Sequence, residues 1–198
     1  MGKLIKFLFV LLLGAVGTVL GIAAIMPEDY RISSATMIDA PPAAVFAQVN
    51  ELKNWEKWQP FLKMDPETVA KYSGPAAGEG AEYHWTGKKS GEGKMKISRS
   101  RQDSLVDLDL HFLKPMEGKS TAQFTFIPID GRTQVEWSMT GKSDFTHRLM
   151  STVMCMDRGM GQVFGQGLAD LKRVVEGRDA PAAAGTGTPT GTAPAVAK

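Results

Sequence analysis

Leu105-Val106-Asp107-Leu108-Asp109-Leu110-His111-Phe112-Leu113 alternates apolar and polar side chains almost from end to end. Successive Cβ atoms of a strand point to opposite sides of a sheet, so this period of two predicts a strand with one buried and one wet face. Val106, Leu108, Leu110 and Phe112 share the apolar side; Asp107, Asp109 and His111 share the other. The pattern recurs on both flanks, over Thr68–Tyr72, Ala81–Thr86 and Lys94–Arg101 upstream and over Lys119–Pro128 and Thr133–Gly141 downstream. Turn residues separate the runs: Gly74-Pro75, Gly87–Gly93, Gln102-Asp103, Pro115–Gly118 and Asp130-Gly131. Asp-Gly between two alternating runs is a strong hairpin signal.

Further out, Tyr30–Ile38 reads as a first strand, stopped by Ala40-Pro41-Pro42. A short helix follows through Val45, Phe46 and Val49, and a second helical turn over Leu52–Trp58 ends at Pro60. After the strands, Val163, Phe164, Leu168, Leu171, Val174 and Val175 recur at helical spacing, which predicts a long helix from Thr146 to Val175. Its Gly159, Gly161, Gly165 and Gly167 each cost up to about 1 kcal/mol against Ala; close packing against a sheet, or a kink, would account for them. The order is one strand, two small helices, six strands and one long helix. Sequential hairpins give an antiparallel sheet, and one helix covers only one of its faces. The class is α+β, with a curved sheet gripping the helix around a cavity open at one end.

Alternation puts Tyr83, Trp85, Met95, Ile97, Leu108, Leu110, Phe112, Phe124, Phe126, Val135, Trp137 and Met139 on the sheet's apolar side. Such a face is either plain core or the wall of a site for a hydrophobic molecule, since ligand pockets are concave and mostly apolar. The candidate lining is Tyr83, Trp85, Leu108, Leu110, Phe112, Phe126, Trp137 and Met139. Trp55, Trp58 and Phe61, spaced by three, either plug the sheet's edge or rim the cavity. Gly78-x-Gly80 precedes a strand and lacks a third glycine, so it reads as a turn.

The N-terminus adds a separate element. Phe7–Met26 carries no charge, follows Lys3 and Lys6, and is closed by Pro27-Glu28-Asp29. Twenty residues at about 1.5 Å each make roughly 30 Å, a bilayer's hydrocarbon thickness. An uncleaved anchor fits better than a secretory signal, whose apolar core is shorter, although Gly21-Ile22-Ala23 could serve as a cleavage site. The positive-inside rule then places the N-terminus in the cytoplasm and the domain outside. Gly17-x-x-x-Gly21 has the spacing for weak helix–helix dimerisation. The expected division is an anchor over 1–29, a domain over 30–176 and a disordered Gly/Ala/Pro/Thr-rich tail over 177–198.

The 198 residues carry a net charge of +2 with charges scattered, which argues against a nucleic-acid surface. A lone Cys155 rules out an intrachain disulfide. Asp107, Asp109 and His111 lie on the wet face, as does His84, so no metal and no cofactor is expected. His147, Arg148, Asp157 and Arg158 are the polar groups that the last helix could bring near a cavity. No acid–base pair or nucleophile triad is legible on the apolar face.

Four segments resemble the START-like, polyketide cyclase/dehydrase superfamily (SRPBCC proteins, the helix-grip fold), in particular its small bacterial membrane-tethered members. Ile38-Asp39-Ala40-Pro41-Pro42-Ala43-Ala44-Val45-Phe46 resembles the family's first strand-to-helix passage. Trp55-Glu56-Lys57-Trp58-Gln59-Pro60-Phe61 is similar to its W-x-x-W-x-P-[FW] segment. Gly78-Glu79-Gly80-Ala81-Glu82-Tyr83-His84-Trp85 resembles its G-x-G-x-x-Y-x-W strand entry, and Phe164-Gly165-Gln166-Gly167-Leu168-Ala169-Asp170-Leu171-Lys172 its closing helix. The resemblance covers Tyr30 to Glu176. It implies the helix-grip fold and a hydrophobic ligand, lipid- or quinone-like, held in the cavity of a domain on the outer side of the bacterial inner membrane. A cyclase- or dehydrase-like enzyme is the alternative, and a partner-binding module with a solid core is the third reading.

Overall fold

The computed structural model describes residues 2–25, 27–142 and 156–177. Helix α1 (Gly2–Ile25) is exposed along its length, and its segment Gly2–Ile22 is long and apolar enough to cross a membrane. Gly17 and Gly21 meet nothing within 4 Å, so that face of α1 is not used by the described part of the chain.

The globular part is a seven-stranded sheet in the order β1-β7-β6-β5-β4-β3-β2. The strands are β1 (Asp29–Ile38), β2 (Val69–Ser73), β3 (Glu82–Thr86), β4 (Glu92–Arg101), β5 (Leu105–Lys114), β6 (Gly118–Ile129) and β7 (Arg132–Lys142). Every pairing is antiparallel. Only the first strand departs from a plain meander, returning to pair with the last. The hairpin signal holds: Ile129 pairs with Arg132 across Asp130 and Gly131, whose φ values of 49° and 77° are those of a two-residue turn with both centres left-handed.

Between β1 and β2 lie α2 (Pro42–Asn50), a 3₁₀ turn over Leu52–Lys57 and α3 (Pro60–Met64). The last helix, α4 (Met156–Val175), packs on β1, β7 and the small helices. The long helix expected from Thr146 is therefore seen from Met156. Residues 146–155, with His147, Arg148 and Cys155, and the tail lie outside the described residues, as do the side chains of Asp157 and Arg158.

Three expectations are corrected. Pro60 not only stops the 3₁₀ turn but opens α3 at its first position, where its fixed φ suits a helix and its missing N–H costs nothing. Alternation in β4 breaks at Ser98, where a bulge makes Ile97 face Leu108 and Arg99 face Asp107. Ser100 is thereby turned inward to bond Asn50 at 2.7 Å. Asp107 is not on a wet face: Arg99 Nε at 2.7 Å and Gln123 Nε2 at 2.9 Å cover it.

The glycines of α4 differ in what surrounds them, and a Cβ on Gly165 would be in ordinary contact with Ser34 Oγ at 3.5 Å. A Cβ on Gly167 would lie 2.9 Å from Trp137 Cζ3 and from Pro60 Cδ, so this turn of the helix sits directly against the sheet and α3. Gly159 and Gly161 meet nothing within 4 Å. At Gly167 the missing side chain is a packing requirement, and it lets Trp137 stack on Phe164 with ring centroids 4.1 Å apart and planes 7° apart.

Candidate functional site

Between sheet, α3 and α4 lies a cavity of about 340 Å³. Its deep end is built by Leu108, Ala122, Trp137, Met139 and Phe164, all buried. Towards one end of the sheet the walls become Tyr83, Trp85, Leu110 and Phe112, and the margin is Met64, Lys89 and Met160. Trp85, Leu110, Phe112 and Met160 are half-buried and Met64 and Lys89 exposed, which identifies the mouth.

Of the eight residues expected to line a cavity, Tyr83, Trp85, Leu108, Leu110, Phe112, Trp137 and Met139 do so. Phe126 does not. It packs edge-on against Phe46 of α2, with ring centroids 5.8 Å apart, and belongs to the solid core at the far end. Alternation fixes which face a residue is on but not how far along the strand the cavity reaches. The aromatic trio also divides: Trp58 is fully buried against Phe124 and Trp137 as a plug, whereas Trp55 and Phe61 are cavity wall.

Local chemistry holds these walls in place. Trp55 Nε1 donates to Val49 O at 2.8 Å, tying the 3₁₀ turn to α2. Asp170 of α4, 2% exposed, accepts Lys63 Nζ of α3 at 2.6 Å and Gln166 Nε2 at 3.0 Å and pairs with Arg173. Lys172 Nζ reaches Met37 O at 2.7 Å and clamps the other end of α4 to β1. Trp85 lies over Gly93, whose Cβ would run into the indole ring, and its Nε1 donates to Ser90 O at 3.3 Å.

The polar groups are few. Asp65, at the end of α3, is buried and accepts the backbone N–H groups of Lys89 at 2.8 Å and Ser90 at 2.9 Å and the Ser90 hydroxyl at 3.0 Å. These bonds, led by the Ser90 N–H, hold its carboxyl below the usual carboxylate range. The bonds latch the β3–β4 loop onto α3 at the mouth. Tyr83, whose hydroxyl bonds Gln59, is pushed up mainly by burial, so its phenol stays protonated. Its neighbour Tyr72 is raised well above the tyrosine range by burial and by its bond to Glu56 at 2.8 Å. Trp137 Nε1 is buried without a hydrogen-bond acceptor among the described residues.

Sequence reasoning missed the apolar Leu62, Met64, Met95, Ala122, Met160 and Phe164 as lining, and with them the polar Gln59, Asp65, Thr68, Lys89 and Ser90. Asp65 and Ser90 are 25 positions apart and neither carries a motif; a helix starting at Pro60 was the one available signal for Met64 and Asp65. Among the described residues no group of three or more His, Cys, Asp or Glu is arranged to hold a metal ion. His84 and His111 lie on the outer face, beside Glu82 at 3.7 Å and Glu117 at 3.1 Å.

Comparison with known proteins agrees with this geometry. A protein from Chromobacterium violaceum superposes with a TM-score of 0.54 at 17% identity, covering 76% of this chain and 99% of its own. A Staphylococcus aureus protein of unknown function gives 0.58 at 12%, covering 76% and 96%. The Aha1 dimer from Colwellia psychrerythraea gives 0.54 at 15%, covering 74% and 96%. At these identities the likeness is one of fold. No curated protein matches the sequence significantly. The family described as polyketide cyclase/dehydrase and lipid transport matches residues 30–176, and on that match the chain belongs to this family of the START-like superfamily.

Proposed function

We propose that this protein binds a hydrophobic small molecule, lipid- or quinone-like, in the cavity between sheet and α4, while α1 tethers the domain to a membrane. One observation carries the reading: the cavity is walled almost entirely by apolar and aromatic side chains. A volume of about 340 Å³ is at the lower end of the range for ligand pockets, roughly 300–1,000 Å³. The ligand contacts proposed are Tyr83, Trp85, Leu108, Leu110, Phe112, Trp137 and Met139. The family's description, which includes lipid transport, supports the same class. The division into an anchor over 1–29, a domain over 30–176 and a tail over 177–198 is part of the proposal.

The test is organic extraction and mass spectrometry of the full chain purified in mild detergent, beside a Leu110→Arg variant. Bilayer lipid carried along by α1 appears in both. A molecule at about one per chain in the wild type and at least tenfold depleted in the variant is the cavity ligand. Identical extracts from two folded proteins would rule out the proposed lining.

A cyclase- or dehydrase-like activity retains one observation in its favour, the protonated Tyr83 phenol on the cavity wall. Asp65 is a poor base, since its carboxylate already accepts three donors. Turnover of a polyketide-like substrate that is lost in Tyr83→Phe would support this reading, and no turnover by the wild type would remove it.

A further inference from the structure

The register of the sheet fixes which end of the domain lies near α1. Only three residues separate Ile25, the last of α1, from Asp29, the first of β1. Four chain steps span at most about 14 Å. Asp29 pairs with Lys142, Gly141 is shared by Tyr30 and Ser120, Gly118 pairs with Phe112, Phe112 with Gly93, and Gly93 with Trp85. The strand ends carrying Phe112 and Trp85 are therefore the ones level with Asp29, and this is the end where the cavity has its mouth.

The same end is where the domain leaves apolar surface uncovered. Outside α1, the exposed large hydrophobic residues among those described are Met64, Val69, Leu113, Met116 and Ile127. Met64 is on the cavity margin, Val69 pairs with Thr86 one residue beyond Trp85, and Leu113 and Met116 follow Phe112 into the β5–β6 turn. Ile127 alone belongs to the other end, where the turns are Gln102-Asp103-Ser104 and Asp130-Gly131. Three lysines lie beside the mouth: Lys88 pairs with Glu67 at 2.6 Å and Lys114 with Glu92 at 2.8 Å, while the exposed Lys89 on the margin has no ion pair among the described residues. Exposed Met and Leu beside lysine suit the interface of a bilayer, where apolar groups sink and ammonium groups meet headgroups, and two of the four apolar residues are flexible methionines.

We propose that the cavity opens onto the bilayer that α1 enters. Met64, Val69, Leu113 and Met116 sink into the headgroup region, and a hydrophobic ligand passes between bilayer and cavity without crossing water. The proposal rests on the tethered-binder reading above.

The test uses the full chain with Cys155→Ser and a single environment-sensitive nitrobenzoxadiazole label, at Met116→Cys or Leu113→Cys on the rim or at Asp103→Cys at the opposite end. Each variant must keep the wild-type melting temperature. The proteins are reconstituted in phosphatidylcholine–phosphatidylglycerol vesicles with or without a shallow doxyl-labelled lipid. Quenching at both rim positions several-fold stronger than at position 103 is expected. Equal quenching at the two ends, with the chain retained in vesicles after an alkaline wash, overturns the membrane-facing mouth and leaves the tether standing. Loss of the chain from the vesicles in that wash overturns the tether itself, and this proposal with it.

Discussion

Asp65 shows how much one side chain does at the mouth. Two backbone N–H groups and a hydroxyl from the β3–β4 loop converge on its carboxylate, so the loop that carries Lys89 and Ser90 is held by a charge. Because these bonds favour the ionised form, the folded-state pKa is lower than the unfolded value near 3.8. The stabilisation is then fully present above that value and is lost as pH falls through the lowered one. Urea midpoints measured from pH 7 downward should drop below about pH 3.8, and Asp65→Asn should lack that share of the drop while being weaker at neutral pH. Identical pH profiles for the two proteins would mean the latch carries no linkage. Phe112 and Phe126 make the complementary point. They lie on the same face of neighbouring strands, yet one faces the cavity and the other is core against Phe46.

At the scale of elements, α4 is where propensity and packing oppose each other. A Cβ added at Gly167 would lie 2.9 Å from Trp137 and Pro60, so Gly167→Ala must displace a ring or the helix. Overpacking of this kind costs roughly 1–3 kcal/mol, more than the helix propensity of up to about 1 kcal/mol that Ala returns. Gly161, with nothing within 4 Å, lacks that opposing term. Denaturant unfolding should show Gly167→Ala destabilised and Gly161→Ala stabilised by up to about 1 kcal/mol. The same sign for both would show that spacing from the sheet is not what selects glycine at 167. The small helices were only partly legible. Pro60 is both a stop and a start, and sequence shows the stop because the preceding helical pattern is what it interrupts. The bulge at Ser98 was not legible either, since Ser98-Arg99-Ser100-Arg101 is polar throughout and carries no alternation that could show a change of face.

For the molecule as a whole, the proposed tether has a consequence in topology. With Lys3 and Lys6 before α1's apolar run and Glu28 and Asp29 after it, the positive-inside rule predicts a domain on the outer side of the membrane. Protease added to intact spheroplasts should remove the domain and leave the span. Protection until the membrane is permeabilised would reverse the orientation. The amino-acid order by itself determined the strands, their two faces outside the bulged half of β4, the hairpin at Asp130-Gly131, the apolar first helix and the family resemblance. Each of these rests on local periodicity or on turn chemistry, which neighbouring residues carry between them. Only tertiary structure decided where the apolar face stops being core and becomes cavity, that Phe126 falls on the core side, that Asp65 closes on Ser90, and that the mouth shares an end with the start of β1, which follows α1. Those outcomes depend on how far α3 and α4 stand from the sheet and on strand register, quantities set by contacts between residues distant in the chain.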